Sequence, residues 1–304
     1  MSDTTLTPNP LADDREFTVA ARSQSKTIIR RFLRHRPAMI SLFILVSVTL
    51  FVFIFPIFWK WPFTQRDKEA LSAAPSWTHP FGTDELGKDG LGRVMRGAQR
   101  SLEIAFIASF LVTTIGVFIG SIAGYFRGWL DAILMRFTDL VLTIPLLVIV
   151  AVVSVGFPGS PWYVIPLLLG MFGWTGVARI VRAEFMSMRE KEFVEAARAV
   201  GAPDRRIIFR HILPNLAGPI IVAATLSIAG TMLTETALSF LGLGVRRPDV
   251  SLGSLIQEGQ VAFKTRPWLF WYPSLSIVLL CLCVNFVGDG LRDAFDPKQN
   301  RIKA

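Results

Sequence analysis

Five stretches of this chain run for 20 residues or more without a single Asp, Glu, Lys or Arg: 38–59, 104–126, 140–178, 215–234 and 268–288. The first, 22 residues, extends about 33 Å as a helix, enough to cross the hydrocarbon core of a bilayer. In that core each backbone amide must be satisfied inside the protein, so runs of this length are expected to be α-helices. The run 140–178 is too long for one crossing. Phe157-Pro158-Gly159-Ser160-Pro161 divides it, because Pro and Gly stop helices. Six crossings are therefore expected, and the fold class is all-α, a polytopic membrane protein. Composition agrees: 52% of residues are apolar and 18% charged, where soluble domains carry about 25% charged residues. With 24 Phe and 8 Trp the chain has ample surface to bury, which excludes disorder. Two Cys make no disulfide framework.

The net charge of +9 could belong to a nucleic-acid binder or to a membrane topology, and the positions of the 32 Lys and Arg decide between them. Twenty-one fall in the tail before residue 38, in the turn holding Arg127 and Arg136, in 179–214 and in the tail after Gly288. Eleven fall on the alternate side. Lys and Arg mark the cytoplasmic face, so both termini are expected inside, and no nucleic-acid partner is expected. Trp59, Trp61, Trp162 and Trp268 then sit at the outer boundary, where indole rings favour the headgroup zone. The first run has a basic tail before it, as a signal peptide would. It is long for a cleavable segment and ends in the bulky Phe55-Pro56-Ile57-Phe58-Trp59, so it reads as an uncleaved anchor.

One nucleotide motif fails on inspection. Gly82 to Gly87-Lys88 has phosphate-loop spacing, but Asp89 stands where a Ser or Thr hydroxyl must reach magnesium, and no buried strand precedes it. If ATP powers this protein, a partner hydrolyses it. His35, His79 and His211 have no metal-ligand spacing, and Cys281 and Cys283 read as small hydrophobes. No catalytic constellation, cofactor site or metal site is expected in this chain.

Residues 179–211 form a densely charged loop. Within it Phe193, Ala196, Ala197 and Val200 recur at i, i+3, i+4 and i+7, one apolar helical stripe. Gly201 follows as a left-handed stop. Pro203 and Asp204 suit the first turn of a second helix, carrying Ile207, Ile208 and His211-Ile212, which Pro214 ends at the bilayer. Helix, sharp turn and helix would lie beneath the membrane with an apolar ridge and a charged border. Such a ridge fits a groove on a soluble protein, or lies on lipid headgroups.

Glu195-Ala196-Ala197, then Gly201, then His211-Ile212-Leu213-Pro214 resembles the E-A-A loop of permease subunits in bacterial ATP-binding-cassette importers. His211 stands where an apolar residue is usual, a variant similar to the peptide-importer branch. The segment from His79 to Asp89, with Lys88 where Arg is usual, resembles that after the first span in C-type permeases of dipeptide, oligopeptide and nickel importers. Leu238 to Gly244, and Gly288 to Asp293 with Asp296-Pro297, resemble later signatures of the same subfamily. Pro203 replaces a usual small polar residue.

The resemblance implies the type I ABC importer permease fold in a bacterial cytoplasmic membrane. Its partners would be a second homologous permease, two ATP-binding subunits carrying ATP and magnesium, an external solute-binding protein, and membrane lipid. It also implies that Glu195, Ala196, Ala197, Gly201, His211, Leu213 and Pro214 form the ATPase-coupling hairpin, with Glu195 pairing a basic residue of the ATPase. Cargo would be peptides, or a nickel chelate. The division expected is a tail 1–36, a first transmembrane helix 37–59, an external segment 60–101, a core 102–288 containing the hairpin 179–214, and a tail 289–304.

Gly116, Gly120, Gly124 and Gly128 recur every four residues, a spacing that lets another helix approach closely. That helix belongs to this subunit or to a partner permease. Glu235 interrupts the end of an apolar run, near the outer interface by residue count. It would touch a docked binding protein or a peptide amine at the outer mouth, or be a solvated helix end. Two other classes compete with the importer: a self-sufficient secondary transporter or channel, for which paired midplane charges are lacking, and a scaffold recruiting a cytoplasmic enzyme.

Overall fold

The computed structural model of the chain describes residues 24–157 and 159–295. The expected tails lie partly outside them, at 1–23 and 296–304, as do Pro158 of the chain break and Asp296-Pro297 of the last signature. In order come α1 (Gln24–Arg34), α2 (Arg36–Ile54) with a 3₁₀ turn (Phe55–Ile57), α3 (Gly90–Phe126), α4 (Gly128–Thr143) and α5 (Leu146–Gly156). They are followed by α6 (Val164–Gly173), α7 (Thr175–Arg189), α8 (Glu192–Ala199), α9 (Asp204–Arg206), a π turn (Ile207–Ile212) and α10 (Leu213–Asn215). The chain closes with α11 (Ala217–Phe240), α12 (Leu252–Val261) and α13 (Trp268–Phe295). All the regular elements among the described residues are helices, with no strand among them.

Five helical segments are long and apolar enough to cross a bilayer: Arg36–Ile57, Gly90–Phe126, Val164–Arg189, Ala217–Phe240 and Trp268–Phe295. The pair Gly128–Thr143 and Leu146–Gly156, bent by 63°, makes a sixth. Several boundaries differ from the sequence expectation. The third crossing begins at Gly128 rather than 140, and Pro145 breaks it, since proline withholds an amide and pushes the preceding residue to extended backbone. The two acids among the charges that hid its first turns are paired with α7: Arg182 grips Asp131 through Nε and a terminal nitrogen at 2.5 and 2.6 Å, and Arg179 reaches Asp139 at 2.7 Å.

The second crossing was expected from 104, with 60–101 outside it. Instead α3 starts at Gly90 and runs 37 residues, about 55 Å. Asp89 caps it, its Oδ2 accepting from the Gly92 amide at 2.7 Å. The additional turns carry Arg93, Arg96 and Arg100, whose charges meet carboxylates of neighbouring segments.

α3 is the axis of the fold, packed on α7, α11, α6 and α12. The glycine row faces α7 in the same subunit: a Cβ on Gly116 would meet Val177, on Gly120 the Ala178 carbonyl at 2.5 Å, and on Gly124 the Arg182 carbonyl at 2.6 Å. Gly128 lies outside this contact, with nothing near it, at a positive φ starting α4. Away from the interior, Phe43, Phe110, Val152 and Val155 are exposed, as side chains facing hydrocarbon would be.

The hairpin begins after Arg189 rather than at 179, because residues 179–189 continue α7 within the crossing; at the opposite end of α3, residues 60–89 and 241–267 fold into a cap. Asp89 is its hub, accepting from Trp59 Nε1 at 2.9 Å and bonding His79 Nδ1 at 2.8 Å. The segment with phosphate-loop spacing lies here. Its Leu86 and Lys88 amides donate to the Asp84 carboxylate, each at 2.9 Å, so a side chain of the loop itself occupies them.

Candidate functional site

The hairpin is built by a helix stop. Val200 leaves α8, Gly201 takes φ +78°, and the Ala202 amide reaches back to the Ala197 carbonyl at 3.0 Å while the Gly201 amide reaches Arg198 at 2.9 Å. These are the two bonds of a Schellman cap, whose left-handed residue is easiest for glycine. Nothing lies within 4 Å of a Cβ at Gly201, so the backbone angle alone selects it. Pro203 then stands just before the second helix, in extended backbone, and Asp204 is its first residue.

That second helix is not the plain α-helix expected, and Pro214 does not end it. Residues Ile207–Ile212 widen to a π turn, the Leu213 amide bonding the Ile208 carbonyl five residues back. Pro214 explains the widening, because its ring crowds the carbonyl four residues earlier and it has no amide to donate. The chain passes through Pro214 in α10 and turns at Leu216 into α11.

The two faces of the hairpin differ. Val194, Ala197, Ile207, Ile208, Ile212 and Leu216 are buried against Val177, Val181 and Phe185 of α7 and Tyr125 of α3. Ala197 therefore belongs to the inner face, a correction to its placement on the ridge: the stripe turns so that Val194, beside Phe193 in sequence, packs inward instead. The outer face presents Phe193, Ala196, Val200 at 84% exposure and Phe209 at 62%. Arg205, Arg206 and Arg210 border it, with Glu192 and Glu195 on α8. The Glu195 carboxylate has no ion pair or hydrogen bond among the described residues. Of the remaining expected residues, His211 and Leu213 are half-buried and Pro214 is exposed.

Tyr125, which the sequence reading passed over, fastens the hairpin to α3. Its hydroxyl donates to Asp204 Oδ1 at 2.5 Å, and the guanidinium groups of Arg189 and Arg198 lie 5.6 and 5.8 Å from its ring centre. Arg189 also donates to the Tyr125 carbonyl. The available signal was a phenol at the end of a span, beside a basic turn. Phe209 was missed as well, lying off the periodic stripe.

Glu235 is the second correction. It is 0% exposed, neither a solvated helix end nor open to an outer mouth. Ser239 Oγ donates to its Oε1 at 2.6 Å and Ser101 Oγ to its Oε2 at 3.0 Å. These hydroxyls in turn accept from the Val245 and Leu252 amides at 3.3 and 3.2 Å. One carboxyl thus joins α3 and α11 to both ends of the segment leading into α12. Sequence counting missed it because the chain after Phe240 folds back over the helix end.

Residues 116–301 match the family described as binding-protein-dependent transport system inner membrane component, and residues 23–75 match the N-terminal TM domain of oligopeptide transport permease C. The chain is 40% identical over 282 residues to the oligopeptide transport system permease protein OppC of Mycobacterium tuberculosis H37Rv, covering 92% of this chain and 97% of that protein. It is 40% identical over 287 residues to the protein of the same name in Haemophilus influenzae, covering 93% and 91%. In three dimensions 68% of the chain superposes on 97% of a chain of the inward-facing MetNI methionine ABC transporter, with a TM-score of 0.54 at 19% identity. That superposition establishes a common fold.

Proposed function

The chain belongs to the family of binding-protein-dependent transport system inner membrane components, and from that premise we propose which cargo it passes and how it is driven. It is a multi-pass membrane permease of an ABC importer, a non-catalytic subunit working with ATPase and substrate-binding partners. The cargo we assign is peptides, on the names of relatives aligned over nine-tenths of the chain. The complex would hold this chain, a second homologous permease, two ATPase subunits carrying ATP and magnesium, and an external solute-binding protein, in a bacterial cytoplasmic membrane. Both termini and the hairpin would face the cytoplasm, and the cap would face outward.

In this reading the hairpin is the lever. Its outer face seats in a cleft of the ATPase, with Phe193, Ala196, Val200 and Phe209 excluding water and Glu195 meeting a basic residue there. Closure of the ATPases on ATP pushes the hairpin. Because Val194, Ala197 and Ile207 are embedded against α7, the push passes into the spans rather than bending a loop. The permease pair then opens to the other side. The observation that carries this reading is an apolar, water-exposed ridge with an unpaired acid, on an element whose opposite face is packed into the core.

The test is reconstitution with the cognate ATPases and binding protein. Glu195→Lys and Gly201→Val are each expected to abolish ATP-driven peptide uptake, with the chain still inserted. Transport-coupled ATPase activity surviving in both variants would overturn the assignment.

A further inference from the structure

α1 carries the sequence Gln-Ser-Lys-Thr-Ile-Ile-Arg-Arg-Phe-Leu-Arg, four cations and no acid. One residue, His35, separates it from the spanning helix α2, so it lies where the chain enters the bilayer. Its inward side is fixed: the Phe32 and His35 rings lie against Gly290 of α13, and His35 Nε2 reaches Asp293 at 3.3 Å. At 100° per residue the rest of the circumference divides in two. Ile29 and Leu33, exposed at 58% and 57%, form an apolar edge. Lys26, Arg30 and Arg34, also exposed, form an adjoining stripe at i, i+4 and i+8. Just beyond His35, Ile40 and Phe43 at the start of α2 are exposed at 61% and 73%, apolar surface of the span itself.

We propose that this face of α1 is a binding surface for anionic phospholipid, with Ile29 and Leu33 entering the acyl boundary and Lys26, Arg30 and Arg34 holding phosphate headgroups. A short helix with a basic row beside an apolar edge lies in the interface plane, and its affinity adds apolar burial to attraction for negative lipid. Charge selects the occupant, for the stripe is wholly cationic. Position selects the leaflet over a soluble partner, since a single residue separates α1 from a span whose first turns expose Ile40 and Phe43. The inference rests on the chain spanning a bilayer and on no other part of the transport reading.

The experiment uses the full chain in nanodiscs of phosphatidylcholine alone, or mixed with an equal part of phosphatidylglycerol. Spin labels are placed at Leu33→Cys or Phe43→Cys after Cys281→Ala and Cys283→Ala, and depth is read from access to oxygen against an aqueous nickel chelate. With phosphatidylglycerol, the Leu33 label is expected to be closed to the chelate and open to oxygen. The Lys26→Gln, Arg30→Gln, Arg34→Gln triple variant is expected to lower the ratio of phosphatidylglycerol to phosphatidylcholine retained on purification by about fivefold or more, the order that losing even one such attraction implies. A chelate-exposed Leu33 label in both discs, with Phe43 buried, overturns the proposal. So does an unchanged lipid ratio, or Leu33 protection that appears only when ATPase subunits are added, which would make a protein the occupant. A chelate-exposed Phe43 label would instead overturn the spanning of α2 itself.

Discussion

Glu235 is a single side chain on which three segments depend. Ser101 and Ser239 donate to it while accepting from two backbone amides of the cap, Leu252 and Val245. Glu235→Ala leaves two buried hydroxyls without their acceptor, which costs about 1–3 kcal/mol for each group left unsatisfied. The purified variant is expected to melt measurably below the parent. Glu235→Gln keeps the volume and one acceptor oxygen, so its loss should be about half as large. Equal losses in both would mean that packing, not hydrogen bonding, holds the joint. An acid in an apolar run drew attention on sequence grounds, but its partners could not be read there. Ser239 is one turn away on the same helix, but Ser101 lies on α3, far back in the chain, and the backbone the two serines hold comes from a fold-back that no periodicity announces.

The hairpin makes a different point, about what pattern can specify. Its turn followed from Gly201 and its first helix from the spacing of Phe193, Ala196, Ala197 and Val200, because those are local rules. Which face packs inward was beyond them. Val194 and Phe193 are consecutive and so lie about 100° apart on the helix wheel, both apolar, and only α7 and Tyr125 decide which is buried. The glycine row was similar: spacing announced a close approach but did not name α7. The long first stretch of α3 was hidden because Arg93, Arg96 and Arg100 read as loop charges until their carboxylate partners were in view. Tyr125→Phe tests the hairpin's attachment. The ring stays under Arg189 and Arg198, while the bond to Asp204, a charge-assisted one worth about 1.5–3 kcal/mol, is lost. Stimulation of the ATPase by the loaded binding protein is expected to fall severalfold, with insertion unchanged. Full stimulation would assign Tyr125 to packing alone.

Taken as one body, the protein is a bundle with a charged cap at one end and the hairpin at the other. Arg96 and Arg100 both hold Asp249, and Arg93 joins Asp84 to Glu258, so the cap is tied to α3 by ion pairs. Burial pushes the Asp249 carboxyl up, but hydrogen bonds from Arg96 and Arg100 outweigh it and hold the group below the usual carboxylate range. A carboxyl depressed in the folded state stabilises fully above its unfolded pKa, about 4, and loses that contribution as pH falls through the folded value. The stability advantage of the parent over Asp249→Asn is therefore expected to be constant near neutrality and to shrink below about pH 4. A gap that stayed constant into that acid range would contradict the ion-pair account.

Both tips of α3 are made fast, by Asp89 at one and Tyr125 at the other, and its 37 residues hold no proline that would let them yield. A strut of that kind has no slack. It shifts or tilts whole, so on the proposed coupling a nudge delivered at the elbow would arrive at the far canopy in the same stroke, keeping the gate on one side of the bilayer in step with the motor on the other.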